Sequence, residues 1–177
     1  MDGARLMNAV VASEVLASDY AKYTDSVWID LSKGLGCPIG GVLAGSNEFI
    51  EKSWLWKQRL GGSMRQSGMM AAAGILALDN NIERLENDHK NARLLAGKLI
   101  EIEGIEVNPS LVETNIVICK VVSKNISARE LVTKLSKIGI RIGALTEREL
   151  RIVTHLDVNE KQIEKAVEEI SKIMLTA

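Results

Sequence analysis

Ser26-Val27-Trp28-Ile29-Asp30-Leu31-Ser32-Lys33-Gly34-Leu35-Gly36-Cys37-Pro38-Ile39-Gly40-Gly41-Val42-Leu43-Ala44-Gly45 is the stretch that decides how this chain is built. Residues 27–31 and 39–44 are short apolar runs bounded by turn residues, so both read as buried strands. Between them lies a loop that holds one lysine, Lys33, among small residues. A lysine at the C-terminal end of a strand, with little steric cover, is where an α/β protein presents a reactive amine. An amine that is to form a Schiff base must be partly desolvated, so that some of it is unprotonated, and must leave room for a flat partner. Taken alone, Ser-Lys-Gly also fits a solvated loop lysine.

The rest of the chain is compatible with a soluble α/β protein. Its 177 residues suit one domain or two small ones. Hydrophobic residues make up 46% and charged residues 25%, enough to build a proper core and a solvated surface. The net charge is −1 and the basic residues are interleaved with acids, so neither nucleic acid nor an anionic membrane is expected as a partner. Cys37 and Cys119 stand far apart without metal-ligand spacing, which points to a reduced, cytoplasmic protein and to no metal centre. No apolar run reaches the length of a membrane span, and no signal peptide precedes Asp2.

Periodicity sets out the elements. Residues 6–23 are rich in Ala, Val and Leu and read as one helix. Residues 47–60 read as a helix capped by Ser46 or Asn47, with Trp54 and Trp56 as packing or interface residues. Gly61-Gly62-Ser63 breaks the chain, and a small-residue helix resumes over 64–79. Residues 82–102 form a second long helix, with Leu85, Ala92, Leu95, Leu99 and Ile102 near helical spacing. At Gly104 the pattern changes to alternating strand and helix. Strands are expected at 105–107 and 115–122, and a helix over 127–138 from a Ser127 cap. A hairpin pair is expected at 140–142 and 150–154, with a closing helix over 158–175. The domain boundary is placed near 103–105, dividing the chain into 1–103 and 104–177.

Lys33 has company. The chain opens on Met1-Asp2-Gly3-Ala4-Arg5-Leu6; later come Leu60-Gly61-Gly62-Ser63-Met64-Arg65-Gln66-Ser67-Gly68, Arg84-Leu85-Glu86-Asn87-Asp88-His89 and Leu150-Arg151-Ile152-Val153-Thr154-His155. In this order and at these spacings the set resembles the second half of the low-specificity threonine aldolases. Those enzymes belong to the β-eliminating-lyase branch of the fold-type-I pyridoxal-phosphate enzymes. The resemblance runs over nearly the whole chain. It implies the latter part of a fold-type-I large domain followed by a small C-terminal α/β domain.

The resemblance also implies roles. Lys33 would carry pyridoxal 5'-phosphate and later move protons. Asp2 would bind the pyridine nitrogen, where a carboxylate keeps the nitrogen protonated and the ring electron-poor. Arg5 would lie near the ring's 3'-oxygen. Ser32 would touch the phosphate, although a plain turn serine fits it equally well. Arg65, at an expected helix start, would approach a cofactor across a subunit interface, or only serve the helix end. Arg151 would clamp the substrate carboxylate, for which a planar guanidinium is suited; the alternative is an edge-strand arginine facing solvent. His89 and His155 read as structural. Gln58 departs from the family pattern, which often has a lysine there.

The reaction implied is cleavage of threonine or allo-threonine, β-hydroxy-α-amino acids, to glycine and an aldehyde by a homo-oligomer, a dimer or tetramer. A different pyridoxal-phosphate lyase or aminotransferase would use Lys33 and Asp2 equally well. In the resembled family the Asp-Gly-Ala-Arg motif sits mid-chain, so the expectation is an incomplete chain that needs a first half, or a non-catalytic fragment.

Overall fold

The computed structural model describes residues 1–176. They form two compact units, one over Met1–Leu85 and one from Glu86 on. The division between them falls a helix earlier than the change of pattern near Gly104.

The first unit is built on a three-stranded sheet. Strand β1, Asp2–Gly3, pairs in parallel with β2, Ser26–Asp30, and β2 pairs antiparallel with β3, Gly41–Gly45. The two apolar runs around Lys33 are therefore strands, but not the buried ones expected: β2 is half-buried along its length and β3 is exposed along its length, because the described residues do not cover the sheet there. The span read as one helix over 6–23 is two, α1 at Leu6–Ser13 and α2 at Ala17–Ala21. The break falls at Glu14, whose φ of 58° is left-handed. Ser13 helps to end α1: its hydroxyl donates to the Ala9 carbonyl and accepts the Val15 N–H. No glycine or proline marks this stop, so periodicity alone ran through it.

Helix α3 spans Asn47–Arg59, with the Ser46 hydroxyl accepting the Phe49 N–H at 3.2 Å. Helix α4 starts only at Gly68 and runs to Asn80. The expected start at Met64 is displaced because Gln66 takes a φ of 51°, which a helix cannot absorb. The core of this unit is small: Leu31, Leu35, Cys37, Ala77 and Leu85 are buried, with Met7, Val11 and Ile29 packed against them.

The second unit begins with α5, Leu85–Leu99. Its stripe Ala92, Leu95, Ala96 and Leu99 is buried against an antiparallel sheet ordered β4-β5-β7-β6. These strands are Ile105–Glu106, Ile116–Val121, Glu149–Val153 and Gly143–Ala144 respectively. The hairpin partner expected at 140–142 lies two to three residues later and is only two residues long. Ile140 and Ile142 instead pack their side chains against the core from a loop. Helix α6, Ala128–Lys137, and helix α7, Glu160–Leu175, cover the sheet's inner face. Each starts at a reciprocal capping box, Ser127 with Glu130 and Asn159 with Gln162.

Among the described residues no helix is long and apolar enough to cross a membrane, and no three His, Cys, Asp or Glu side chains cluster as a metal site. Both thiols are free and buried. Burial pushes the Cys119 thiol up to about 11.

Candidate active site

The parallel pairing of β1 and β2, with Asp2 opposite Trp28 and Gly3 opposite Ile29, sends both strands toward the same edge of the sheet. In open α/β sheets, ligands bind outside the carboxyl ends of such strands. β1 ends there in Ala4 and Arg5, and β2 ends in Asp30, three residues before Lys33. The backbones are close at this edge: a Cβ on Gly3 would lie 2.5 Å from the Trp28 carbonyl oxygen. Only glycine fits there.

Asp2 is exposed, and its Oδ1 accepts the Ala4 N–H at 3.0 Å. That bond turns the chain from strand into α1 and leaves the second carboxylate oxygen for another partner. Arg5 stands at the helix start, half-buried, beside a narrow cleft that also involves Asn8, Asp30 and Gly34.

Lys33 lies in a loop that is rigid on one side and open on the other. Gly34 is buried so closely that a Cβ would meet Asn8 Oδ1 and Leu85 Cδ2, each at 3.0 Å. Gly36 has a φ of 76°, and its N–H donates to the Lys33 carbonyl, closing a turn. The Lys33 side chain is 43% exposed. Its Nζ lies 3.5 Å from Asp30 Oδ2 and 5.6 Å from the centre of the Trp28 ring.

Asp30 is the residue that the sequence reading missed, having counted it within an apolar run. Its side chain is only 11% exposed. Oδ1 accepts the Ser32 N–H at 2.7 Å and the Ser32 hydroxyl at 2.6 Å. Burial pushes the Asp30 carboxyl up, but the two Ser32 hydrogen bonds and the Lys33 charge outweigh it and leave the group below its ordinary value. The signal was Asp30-Leu31-Ser32, an acceptor two residues ahead of a hydroxyl, which is the pattern of an Asx turn.

Arg151, in the second unit, lies on β7 between Leu150 and Ile152, which are buried in the core. Arg151 therefore occupies the other face, half-buried, opposite Ile118 of β5 and Gly143 of β6. β7 is an interior strand, so the alternative of an edge-strand arginine does not describe it. Gly143 has no side chain beside Arg151, which leaves room for a guanidinium to take a planar anion.

The end of β7 is fastened. Thr154 Oγ1 donates to the Asp88 carbonyl at 2.6 Å, and Asn115 Nδ2 donates to the Thr154 carbonyl at 2.7 Å. These bonds give Thr154 and Asn115 structural work at the end of the strand. His89 is fully buried, and His155 pairs with Asp157 at 3.4 Å. Arg65 lies in the exposed turn ahead of α4 rather than at its start.

The chain belongs to the beta-eliminating lyase family, whose model matches residues 1–122. It is 39% identical over 177 residues to low-specificity L-threonine aldolase 1 of Arabidopsis thaliana, covering 99% of this chain and 49% of that protein. It is 41% identical over 163 residues to the low specificity L-threonine aldolase of Escherichia coli K12, covering 92% of this chain and 47% of that one. The chain spans about half the length of the curated relatives it matches. Among solved structures it resembles the threonine aldolase of Leishmania major, with a TM-score of 0.74, 20% identity and coverage of 98% of this chain and 51% of that chain. The fold is the latter part of a fold-type-I large domain with a small C-terminal α/β domain.

Proposed function

We propose that this chain is part of a pyridoxal-phosphate-dependent carbon–carbon lyase that cleaves threonine or allo-threonine to glycine and an aldehyde. The observation that carries the reading is the parallel β1/β2 pair, which brings Asp2, Arg5 and Lys33 to one sheet edge. The names of the relatives in Arabidopsis thaliana and Escherichia coli point to the same substrate class.

The donor set suits the cofactor. One amine stands on a glycine-bounded loop, one carboxylate uses a single oxygen to accept the Ala4 N–H, and Arg5, half-buried, follows the end of β1. Lys33 would hold the aldehyde carbon, Asp2 the ring nitrogen and Arg5 the ring oxygen; Ser32 gives both its N–H and its hydroxyl to Asp30 Oδ1, which favours the turn serine over the phosphate contact. When bound, pyridoxal phosphate supplies an electron sink for the pair released as the substrate's Cα–Cβ bond breaks. As the Cα–Cβ bond breaks, the β-hydroxyl gives up its proton to a base and the aldehyde leaves; Lys33 Nζ would then deliver a proton to Cα, which completes glycine. Arg151 holds the α-carboxylate through two parallel N–H donors and so orients the amino acid. Arg65, in its exposed turn, serves a neighbouring subunit of a homo-oligomer. Asp2 would face the ring nitrogen, where a carboxylate helps to keep that nitrogen protonated and so would deepen the sink.

We place the protein in the cytoplasm, in keeping with two buried, reduced thiols. Full turnover requires the remaining length that the relatives carry, since the described residues of the first unit leave β3 wholly exposed. The test is to assay aldehyde release from L-threonine and L-allo-threonine, with added cofactor, by the chain alone and by a form extended to the relatives' length. Cleavage by the extended form supports the reading. An extended form that loads cofactor but only transaminates or eliminates would replace it with the other pyridoxal-phosphate chemistries.

A further inference from the structure

We propose that Asp30 is a positioning residue for Lys33: one carboxylate oxygen builds the loop, and the other holds the lysine amine at the strand end until a carbonyl partner takes it. This rests on the proposed role of Lys33 as the reactive amine.

The two oxygens divide the work. Oδ1 takes both Ser32 donors, the N–H at 2.7 Å and the hydroxyl at 2.6 Å, and so fixes the turn that leads out of β2. Oδ2 faces Lys33 Nζ at 3.5 Å. Trp28, two residues back on the same face of β2, offers its ring to the same ammonium at 5.6 Å. The indole is itself held in place, because it lies against Gly41, where any Cβ would collide with Trp28 Nε1. The ammonium thus rests between the carboxylate oxygen that Ser32 does not use and an aromatic face. Both contacts attract an ammonium, so together they hold the nitrogen at the strand end. The low proton affinity of Asp30 keeps that carboxylate ionised across the neutral range.

A purely structural Asx turn needs only Oδ1. Asp30→Asn separates the two roles, since the amide oxygen can still accept from Ser32 while the amide NH2 cannot pair with an ammonium. The experiment is trace acylation of the 177-residue chain with acetic anhydride, read by mass spectrometry at Lys33 and normalised to Lys124. For a half-exposed ion pair the normalised Lys33 rate should rise about two- to fivefold in Asp30→Asn, with an unchanged far-UV spectrum. An unchanged rate in a folded variant overturns the proposal. Should Asp30→Asn fail to fold, the wild type decides. Raising sodium chloride to about 1 M screens the pair, so the Lys33 rate should climb about twofold relative to Lys124, and a flat response overturns the proposal. Borohydride trapping of pyridoxal phosphate on wild-type Lys33 is scored separately. Its absence removes the cofactor reading, whereas trapping together with a flat acylation response removes only the role of Asp30.

Discussion

A methyl group placed on Gly3 would stand 2.5 Å from the carbonyl oxygen of Trp28, well inside contact distance. The first motif of the chain and the strand that leads to Lys33 are therefore fitted backbone to backbone. Gly3→Ala must push β1 away from β2 and tilt Asp2 and Arg5 with it. Overpacking of this kind costs about 1–3 kcal/mol. The urea midpoint should fall accordingly, and cofactor retention should fall with it. A midpoint equal to wild type would mean that β1 moves freely.

Arg151→Ala should behave differently. Its side chain is on the open face of the second sheet, away from Leu150 and Ile152. Stability should change by no more than about 0.5 kcal/mol. Affinity for glycine, measured on cofactor-loaded protein of the relatives' length, should weaken about tenfold or more, the scale of a lost charge-assisted contact. Unchanged affinity would leave Arg151 as a sheet surface residue.

His89 predicts a pH dependence. Burial holds its imidazole below the ordinary value, and Glu86 Oε2 at 3.6 Å only partly offsets this. The unfolded chain takes up the proton at about pH 6.5, before the folded chain does. Stability is thus complete above that pH and declines as pH falls through it toward the lower folded value. The slope is up to about 1.4 kcal/mol per pH unit for one proton. Urea midpoints should drop between about pH 7 and pH 5, and His89→Gln should flatten that limb. Equal slopes in the two proteins would show that other groups carry the effect.

Trp54 and Trp56 are 53% and 58% exposed on α3, under Lys57 and Arg59 respectively. Indoles this exposed do not serve the core of their unit, and in the proposed homo-oligomer they are read as contact residues. Replacing both with serine should shift sedimentation of the loaded, relative-length protein to a smaller species and move stability of the monomer little. An unchanged sedimentation coefficient would remove α3 from the interface.

The legible features of this chain share one property: each is specified within a few residues. The runs flanking Lys33, the Ala92-Leu95-Leu99 stripe and the Ser127 cap depend on local pattern alone, and each stands where it was expected, within a residue or two. The misreadings are places where one backbone angle overrides periodicity. Glu14 and Gln66 adopt left-handed conformations without a glycine to announce them, so one helix splits and another starts late. Ile140 and Ile142 are apolar enough for a strand but fill the core from a loop. Asp30 was hidden because an acid inside an apolar run shows its purpose only when its partners, Ser32 and Lys33, are placed in space.

Lys33 is proposed as the amine that takes the cofactor. The direct measurement is borohydride reduction of the protein with pyridoxal phosphate, followed by proteolysis and mass mapping. The reduced pyridoxyl group should lie on Lys33, and Lys33→Ala should leave no lysine comparably labelled. Labelling spread over other lysines, or unchanged in Lys33→Ala, would assign the cofactor to another amine.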